Sequence, residues 1–400
     1  MLKRVCVLVL FLTPLAALAE NPPSDYQARL AKLAASKEPK AWLALADFCE
    51  EHLLWKEREE ALRKTLEFDP ESAQAHGRLD EAKWEGSWIP VDQAETKEAE
   101  AMKAKGLAFY ATKWIEPAEA DLLRKKDRAS VGWDMEVRVD TPRLRLYSDR
   151  GICETRRLAA ILDNFICAYR RVYAKPFSLK PSAVLKVYCF ETSETYVDTF
   201  KNSTGKPMRE NSGGGIYSRE TGTLYVGKPP GPITELLRQQ IAVRCCIHAL
   251  DDLAGVDIEN HAWFTNGRVM YWQYAIVGRQ VLPGAARVDA HDKHPDTLEK
   301  IYKDPDLKAL LRLDKDGFSQ NPSRNQAESW GLVHFLSHGQ GGKYAEGFLR
   351  FAQQIQKNPS KAKLEECLSV KVADLREAVQ THVQKVLLPA ATGNGLPVLP

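Results

Sequence analysis

The sequence predicts an α+β protein of 400 residues, in which a helical N-terminal unit precedes a larger domain of strands and long helices. Two observations lead there. Residues 26–85 carry apolar side chains at helical spacing. From about Trp133 onward, short alternating or β-rich runs trade places with long amphipathic stretches, the order expected of a mixed sheet packed on helices. The composition, 44% hydrophobic and 27% charged, is that of globular domains with real cores. A net charge of +3 is too small to point to nucleic acid or an anionic membrane as partner.

Lys3 and Arg4 precede an apolar run over 5–18, and Ala17-Leu18-Ala19 has the A-x-A form. Residues 1–19 are therefore expected to be a Sec signal peptide cut after Ala19, which places the mature chain in a secreted or periplasmic location. The apolar run is short for a membrane span, and no later stretch is long and apolar enough to be one. All eight cysteines except Cys6 remain in the mature chain, so at least one has no partner within it. An oxidising compartment permits disulfides, but the spacing names no pair and contains no C-x-x-C motif.

Within 20–85, Trp42, Leu45, Ala46, Cys49, Leu62 and Pro70 fall at spacings that resemble one tetratricopeptide repeat. Residues 71–83 then read as the first helix of a next repeat. One repeat cannot bury a continuous solenoid core, so a helical cap on the main domain is expected. The charged run in 86–132 reads as a solvated helix or linker.

The main domain is expected over 133–388. Residues 137–139, 144–147 and 184–190 read as strands, and 153–173 as a long amphipathic helix. A short helix over 193–201 has Thr192 or Ser193 as its cap. Residues 213–217 and 223–226 flank a turn and read as a hairpin. Pro229, Pro230 and Pro232 break the chain before a helix that carries Gln239. Helices then continue to about 388, with a loop-rich stretch over 282–324, and the Gly/Pro-rich tail 389–400 reads as disordered.

The layout from Gln239 to Tyr271 carries the chemistry. In layout it resembles the two zinc helices of a gluzincin, H-E-x-x-H and then, some twenty residues on, W-[FL]-x-E-G-x-A-x-Y. Here the ligand positions hold Gln239, Val243 and Asn266, and the general-base position holds Gln240. A glutamine offers zinc only a neutral amide oxygen, valine has no lone pair, and an amide cannot take a proton at neutral pH. A second registration, 244–248 on H-E-x-x-H, recovers only His248.

Three segments carry a wider resemblance: 214–226, 236–250 with Trp263-Phe264-Thr265-Asn266-Gly267, and 326–336. Their order is similar to the peptidase MA-like family of secreted bacterial proteins known as domain of unknown function 1570, which is read as gluzincin-type and often follows tetratricopeptide-like helices. The resemblance covers about 134–388. It implies a gluzincin-like metallopeptidase domain, a small twisted sheet plus a helical half, preceded by a short tetratricopeptide-like unit. It also implies an edge strand beside the substrate. The departures fall on the positions that define hydrolysis.

Other chemistry is weaker. His334 and His338 have i, i+4 spacing, but no carboxylate adjoins them and Gly339 ends the helix, so a packed or surface pair is the better account than metal ligands. His291 and His294 lie in a polar loop. His248, His261, Asp251 and Asp252 are of the right types for a relocated zinc site. Cys245 and His248 could meet at i, i+3 as nucleophile and base, though helix-borne apolar cysteines are usually core. No phosphate-loop, dinucleotide or nucleophile-elbow motif is present.

The function expected is that of a secreted, non-catalytic pseudo-metallopeptidase without zinc. It would bind peptide or protein at Gly215, Ile216, Tyr217, Tyr225 and Tyr271, beside the amides of Gln239, Gln240 and Asn266. The alternatives are an active zinc peptidase with atypical ligands, and an interaction protein acting through its tetratricopeptide-like helices.

Overall fold

The computed structural model describes residues 22–179, 184–208, 214–227, 234–256, 261–288 and 294–392. The expected signal peptide, the Pro229–Pro232 break, His291 and residues 393–400 of the expected tail lie outside the described residues; residues 389–391 of that tail are helical rather than disordered. The fold is α+β. No helix among the described residues is long and apolar enough to cross a membrane.

Four helices open the chain: α1 (Pro22–Leu33), α2 (Pro39–Glu51), α3 (Trp55–Phe68) and α4 (Ala73–Arg78). Helices α2 and α3 form an antiparallel pair around Trp42, Leu45, Ala46, Cys49 and Leu62, with Ala75 of α4 added. The helix expected over 71–83 stops at Arg78. Asp80 takes a left-handed φ of 56°, which aspartate tolerates better than most residues, and the chain enters strand β1 (Glu81–Trp84), paired with β2 (Ser87–Pro90). Glu85 and Gly86 both have positive φ, the mark of a type I′ hairpin turn.

The stretch expected as a linker is instead two copies of a hairpin followed by a helix. The first is β1, β2 and α5 (Val91–Ala104); the second is β3 (Ala108–Tyr110), β4 (Lys113–Ile115) and α6 (Pro117–Val131). They match at one spacing: Trp88-Ile89 against Trp114-Ile115, helix starts Val91 against Pro117, buried Ala94 against Ala120, and left-handed Glu85 against Ala111. The second hairpin reaches the main sheet through a bridge from Ala111 to Val139.

The main sheet has the order β5-β6-β7-β9-β8, with β5 (Val137–Asp140), β6 (Leu144–Ser148), β7 (Leu185–Cys189), β8 (Gly215–Ser218) and β9 (Thr223–Val226). Strands β6, β7 and β9 run parallel; β5 and β8 close the two edges antiparallel. Successive side chains of a strand point to opposite faces. Leu185, Val187 and Cys189 of β7 accordingly face the core shared with α7 (Ile152–Phe177) and α9 (Glu235–Leu253). Tyr188 faces a second, aromatic cluster with Tyr147, Tyr225 and Phe190, capped by Tyr196 and Phe200 of α8 (Ser193–Thr204). Thr192 caps α8 as expected, its side chain accepting from the Thr195 amide.

Helix α10 (Ala262–Gln273) follows, then a two-residue-strand hairpin, β10 (Ile276–Val277) with β11 (Gln280–Val281). The stretch expected as loop-rich holds three short helices: α11 (His294–Ile301), α12 (Leu307–Arg312) and α13 (Lys315–Gln320). Then come α14 (Pro322–Gly342), α15 (Ala345–Lys357), α16 (Leu364–Leu368) and α17 (Arg376–His382). Helical geometry in α14 fails at Gly339, where the sequence sets its end. All seven cysteines from Cys49 to Cys367 are unpaired.

The N-terminal third is clamped to this domain electrostatically. Arg279, at the tip of the β10–β11 hairpin, donates its backbone N–H to Asp80 and its guanidinium to Asp92 (2.9 Å) and Glu95 (2.6 Å). Arg156 and Arg157 of α7 reach Glu95 and Asp92 from the other side. Glu95 is therefore buried and paired, not solvated. Trp55 and Leu53 pack on Val277, Leu282 and Ala285 next to it. Arg279→Ala is expected to cost about 1–3 kcal/mol, because Arg156 and Arg157 remain to neutralise the two carboxylates; urea unfolding measures it.

Candidate functional site

The helices that carry the candidate positions are joined by a buried ion pair. Arg268 of α10 is fully buried and donates to Asp251 of α9, from Nη2 at 2.7 Å and Nη1 at 3.2 Å. Its Nη1 also donates to the Tyr169 hydroxyl of α7 at 2.6 Å, and that hydroxyl donates to Asp251 at 2.6 Å. The rings of Phe264, Phe177 and Tyr173 stand 4.4, 5.0 and 5.3 Å from the guanidinium carbon. Burial works against this charge, but the Asp251 carboxylate and the tyrosine hydroxyls more than offset it, so the Arg268 pKa lies above the ordinary arginine value.

Helix α9 begins at Thr234, whose side chain accepts from the Leu237 amide. Gln239 and Gln240 follow in its second turn, and both are buried. Gln240 Nε2 donates to the Arg287 carbonyl at 2.9 Å, which fixes the orientation of that amide, since its oxygen could not face another carbonyl. Gln240 Oε1 and Gln239 Nε2 are buried with no hydrogen-bond partner among the described residues. The neighbouring Thr265 hydroxyl is in the same condition. Val243 lies fully inside the core.

Asn266 is turned away from them. Its Nδ2 donates to Ala262 O one turn back at 2.8 Å, and its Oδ1 takes a long 3.5 Å contact from Gln326 of α14. Gln326 Oε1 in turn faces His294 Nε2 at 3.3 Å. Among the described residues, no hydrogen bond joins Asn266 to either glutamine. The glycine after it has a packing role: a Cβ at Gly267 would stand 2.6 Å from Ser329 O, so the backbones of α10 and α14 touch there.

Strand β8 lies at the sheet edge, with α9 pressed on its face. A Cβ at Gly215 would stand 2.6 Å from Ile241 and 2.7 Å from Cys245 Sγ. Hydrogen-bonded pairs alternate along an antiparallel ladder. Gly227 N donates to Gly214 O at 2.7 Å, so Gly214 pairs in this way, and with it Ile216 and Ser218. The N–H and C=O of Gly215 and Tyr217 therefore point away from β9. Among the described residues, no backbone hydrogen bond reaches them from that side. The Tyr217 hydroxyl donates to Asp252 at 2.9 Å and ties the edge to the end of α9. Ile216 packs on the aromatic cluster behind the sheet.

Two of the expected peptide contacts lie elsewhere. Tyr225 is fully buried one strand inward, and Tyr271 is buried with its hydroxyl against His338 Nε2 at 2.8 Å. Neither side chain offers a surface to a peptide, because each fills the core on its own side of the sheet or helix.

Three of the four residues of the relocated zinc site stand with other partners. Asp251 is committed to Arg268, Asp252 is shared by Tyr217 and Arg219, and His261 Nε2 faces Pro359 O at 2.8 Å. Among the described residues, no three His, Cys, Asp or Glu side chains gather in metal-holding geometry. Burial lowers the His248 pKa. Burial pushes the Cys245 thiol up to about 11, far from a reactive thiolate. His334 and His338 belong to a buried cluster with His382.

Sequence reasoning passed over Arg268, Asp251 as its partner, and Gln326. An arginine inside an otherwise apolar helical run is the signal for the first, because burial there demands a counter-charge.

A buried amide nitrogen without an acceptor is destabilising, so Gln239→Leu is expected to be neutral or to stabilise the fold by about 1 kcal/mol. A urea midpoint lower by more than that would reveal a partner the amide depends on. No family model, no curated protein and no solved structure matches this chain.

Proposed function

We propose that this chain is a catalytically silent protein on a gluzincin-type frame, secreted after signal cleavage, which captures an extended peptide along the β8 edge. The observation that carries the proposal is the pairing parity of β8. Gly215 and Tyr217 turn one donor and one acceptor each outward, which is what an added strand needs for main-chain hydrogen bonds. One further observation supports it: helix α9 packs directly on the inner face of β8, with Ile241 and Cys245 against Gly215, and so holds the edge strand in place.

The chemistry of the former ligand positions supports a silent site. Hydrolysis on such a frame needs a metal to polarise the carbonyl and a carboxylate to activate water. Gln240 cannot act as the base, and Val243 cannot ligate a metal.

Binding to an immobilised library of decapeptides tests the proposal. Tyr217→Pro deletes an N–H that points away from β9, together with the ring and its Asp252 bond, and proline is tolerated on edge strands. It is expected to weaken capture by about tenfold or more while leaving the circular dichroism spectrum unchanged. Tyr217→Phe, which keeps the backbone and loses only the Asp252 bond, is expected to bind as the parent does. Equal binding by Tyr217→Pro, or a folded parent that holds no library member, would contradict it.

A further inference from the structure

The strongest group outside this site is a cluster of three histidines. His334 and His338 come from α14 and His382 from α17. His334 is buried, with Nε2 against Gly284 O at 3.0 Å and Nδ1 against His382 Nε2 at 2.8 Å. The His334 ring centroid lies 5.1 Å from that of His338 and 5.1 Å from that of His382. From α10 the Tyr271 hydroxyl meets His338 Nε2. The 282–288 segment contributes the Gly284 carbonyl, and Gly284 also packs on the His338 ring, where an added Cβ would stand 2.7 Å from Nε2. Among the described residues, no carboxylate, lysine or arginine side chain is bonded to the three rings.

The hydrogen-bond roles follow from the acceptor. A carbonyl only accepts, so His334 Nε2 carries a hydrogen and its Nδ1 is bare in the neutral ring. His382 Nε2 must then donate. One added proton can be accommodated on the bare His382 Nδ1, or on His334 Nδ1 if His382 moves its own hydrogen to Nδ1. A second forces two N–H groups to face each other at 2.8 Å with no counter-charge.

The same cluster holds an irregular strap. Residues 283–288 belong to no helix or strand. The strap is kept by Leu282 N on Ala275 O, Arg287 N on Tyr274 O, His334 on Gly284 O and Gln240 on Arg287 O. It runs between the histidines and the α9 glutamines.

We propose that the three-histidine cluster is an acid-triggered latch: at neutral pH it holds the 282–288 strap on α14, and proton uptake by His334 and His382 releases the strap. Burial holds the His334 pKa down to about 4, while burial and His334 hold that of His382 down to about 3. The closed form therefore binds fewer protons than the released one, whose histidines titrate near 6.5. Closure is complete above about 6.5 and weakens as pH falls toward 4, by about tenfold per pH unit for each proton taken up. Peptide capture is not needed for the latch to act.

Hydrogen–deuterium exchange of the full chain at about pH 7.5 and about pH 5, corrected for intrinsic exchange, tests it. Amides of 282–288 are expected to lose protection by about thirtyfold for each proton taken up, while those of α7 and α9 keep theirs. His382→Gln still donates to His334 but cannot titrate, so the pH effect should shrink by about thirtyfold. Unchanged strap protection in the parent, simultaneous loss across all elements, or a His382→Gln variant as acid-sensitive as the parent would overturn the latch. If that variant does not fold at neutral pH, the two parent measurements still decide.

Discussion

The Arg268–Asp251 pair stands where α7, α9 and α10 meet, and taking those two charges out of water constrains how the three helices can be arranged. A lone buried guanidinium or carboxylate costs several kcal/mol, so neither helix can slide relative to the other without exposing or orphaning a charge. The Tyr169 hydroxyl and the rings of Phe264, Phe177 and Tyr173 fix the geometry further. Position along α9 then follows. The turn that holds Asp251 also holds Asp252, which takes Tyr217 from the edge strand, and the preceding turns bring Ile241 and Cys245 against Gly215. The placement of β8 against Ile241 and Cys245 thus descends from one ion pair further along α9.

A second set of charges does the same for the N-terminal third. Arg279 reaches Asp80, Asp92 and Glu95 from the main domain, and Gln280 exchanges hydrogen bonds with Arg58 and the Arg78 carbonyl. The helical unit and the two hairpin–helix copies are therefore fastened parts of the molecule. Removing them would strand Arg279, Arg156 and Arg157 next to each other without carboxylates. A role for the N-terminal helices in binding cannot be separated from their role in holding the main domain.

Much of the main domain was legible because its signals are local. The long apolar stripe of α7, the β-rich 184–190 run, the Thr192 cap and the Gly-bounded β8–β9 pair each declare themselves in a few adjacent residues. The hairpins in 81–115 were not, because they are short, carry lysine and glutamate on their faces, and turn on Glu85-Gly86 rather than a stronger Asn-Gly signal. At the site, the identity of Gln239, Gln240, Val243 and Asn266 was plain, but their directions were not. Asn266 turns to α14 because Gln326 stands there, and that contact spans a sequence separation no periodicity encodes. Tyr225 looked like an edge residue because strand order cannot be read from the order of strands in the chain; β9 lies inside β8.

The proposal that this frame is catalytically silent turns on whether α9 and α10 carry a zinc centre. The metal content of the purified chain, prepared without chelator or affinity-tag histidines, tests it most directly. Structural and catalytic zinc sites hold the ion tightly enough to survive purification, so the account predicts less than about a tenth of an equivalent. Close to one equivalent of zinc, lost in His248→Ala or His261→Ala, would contradict it.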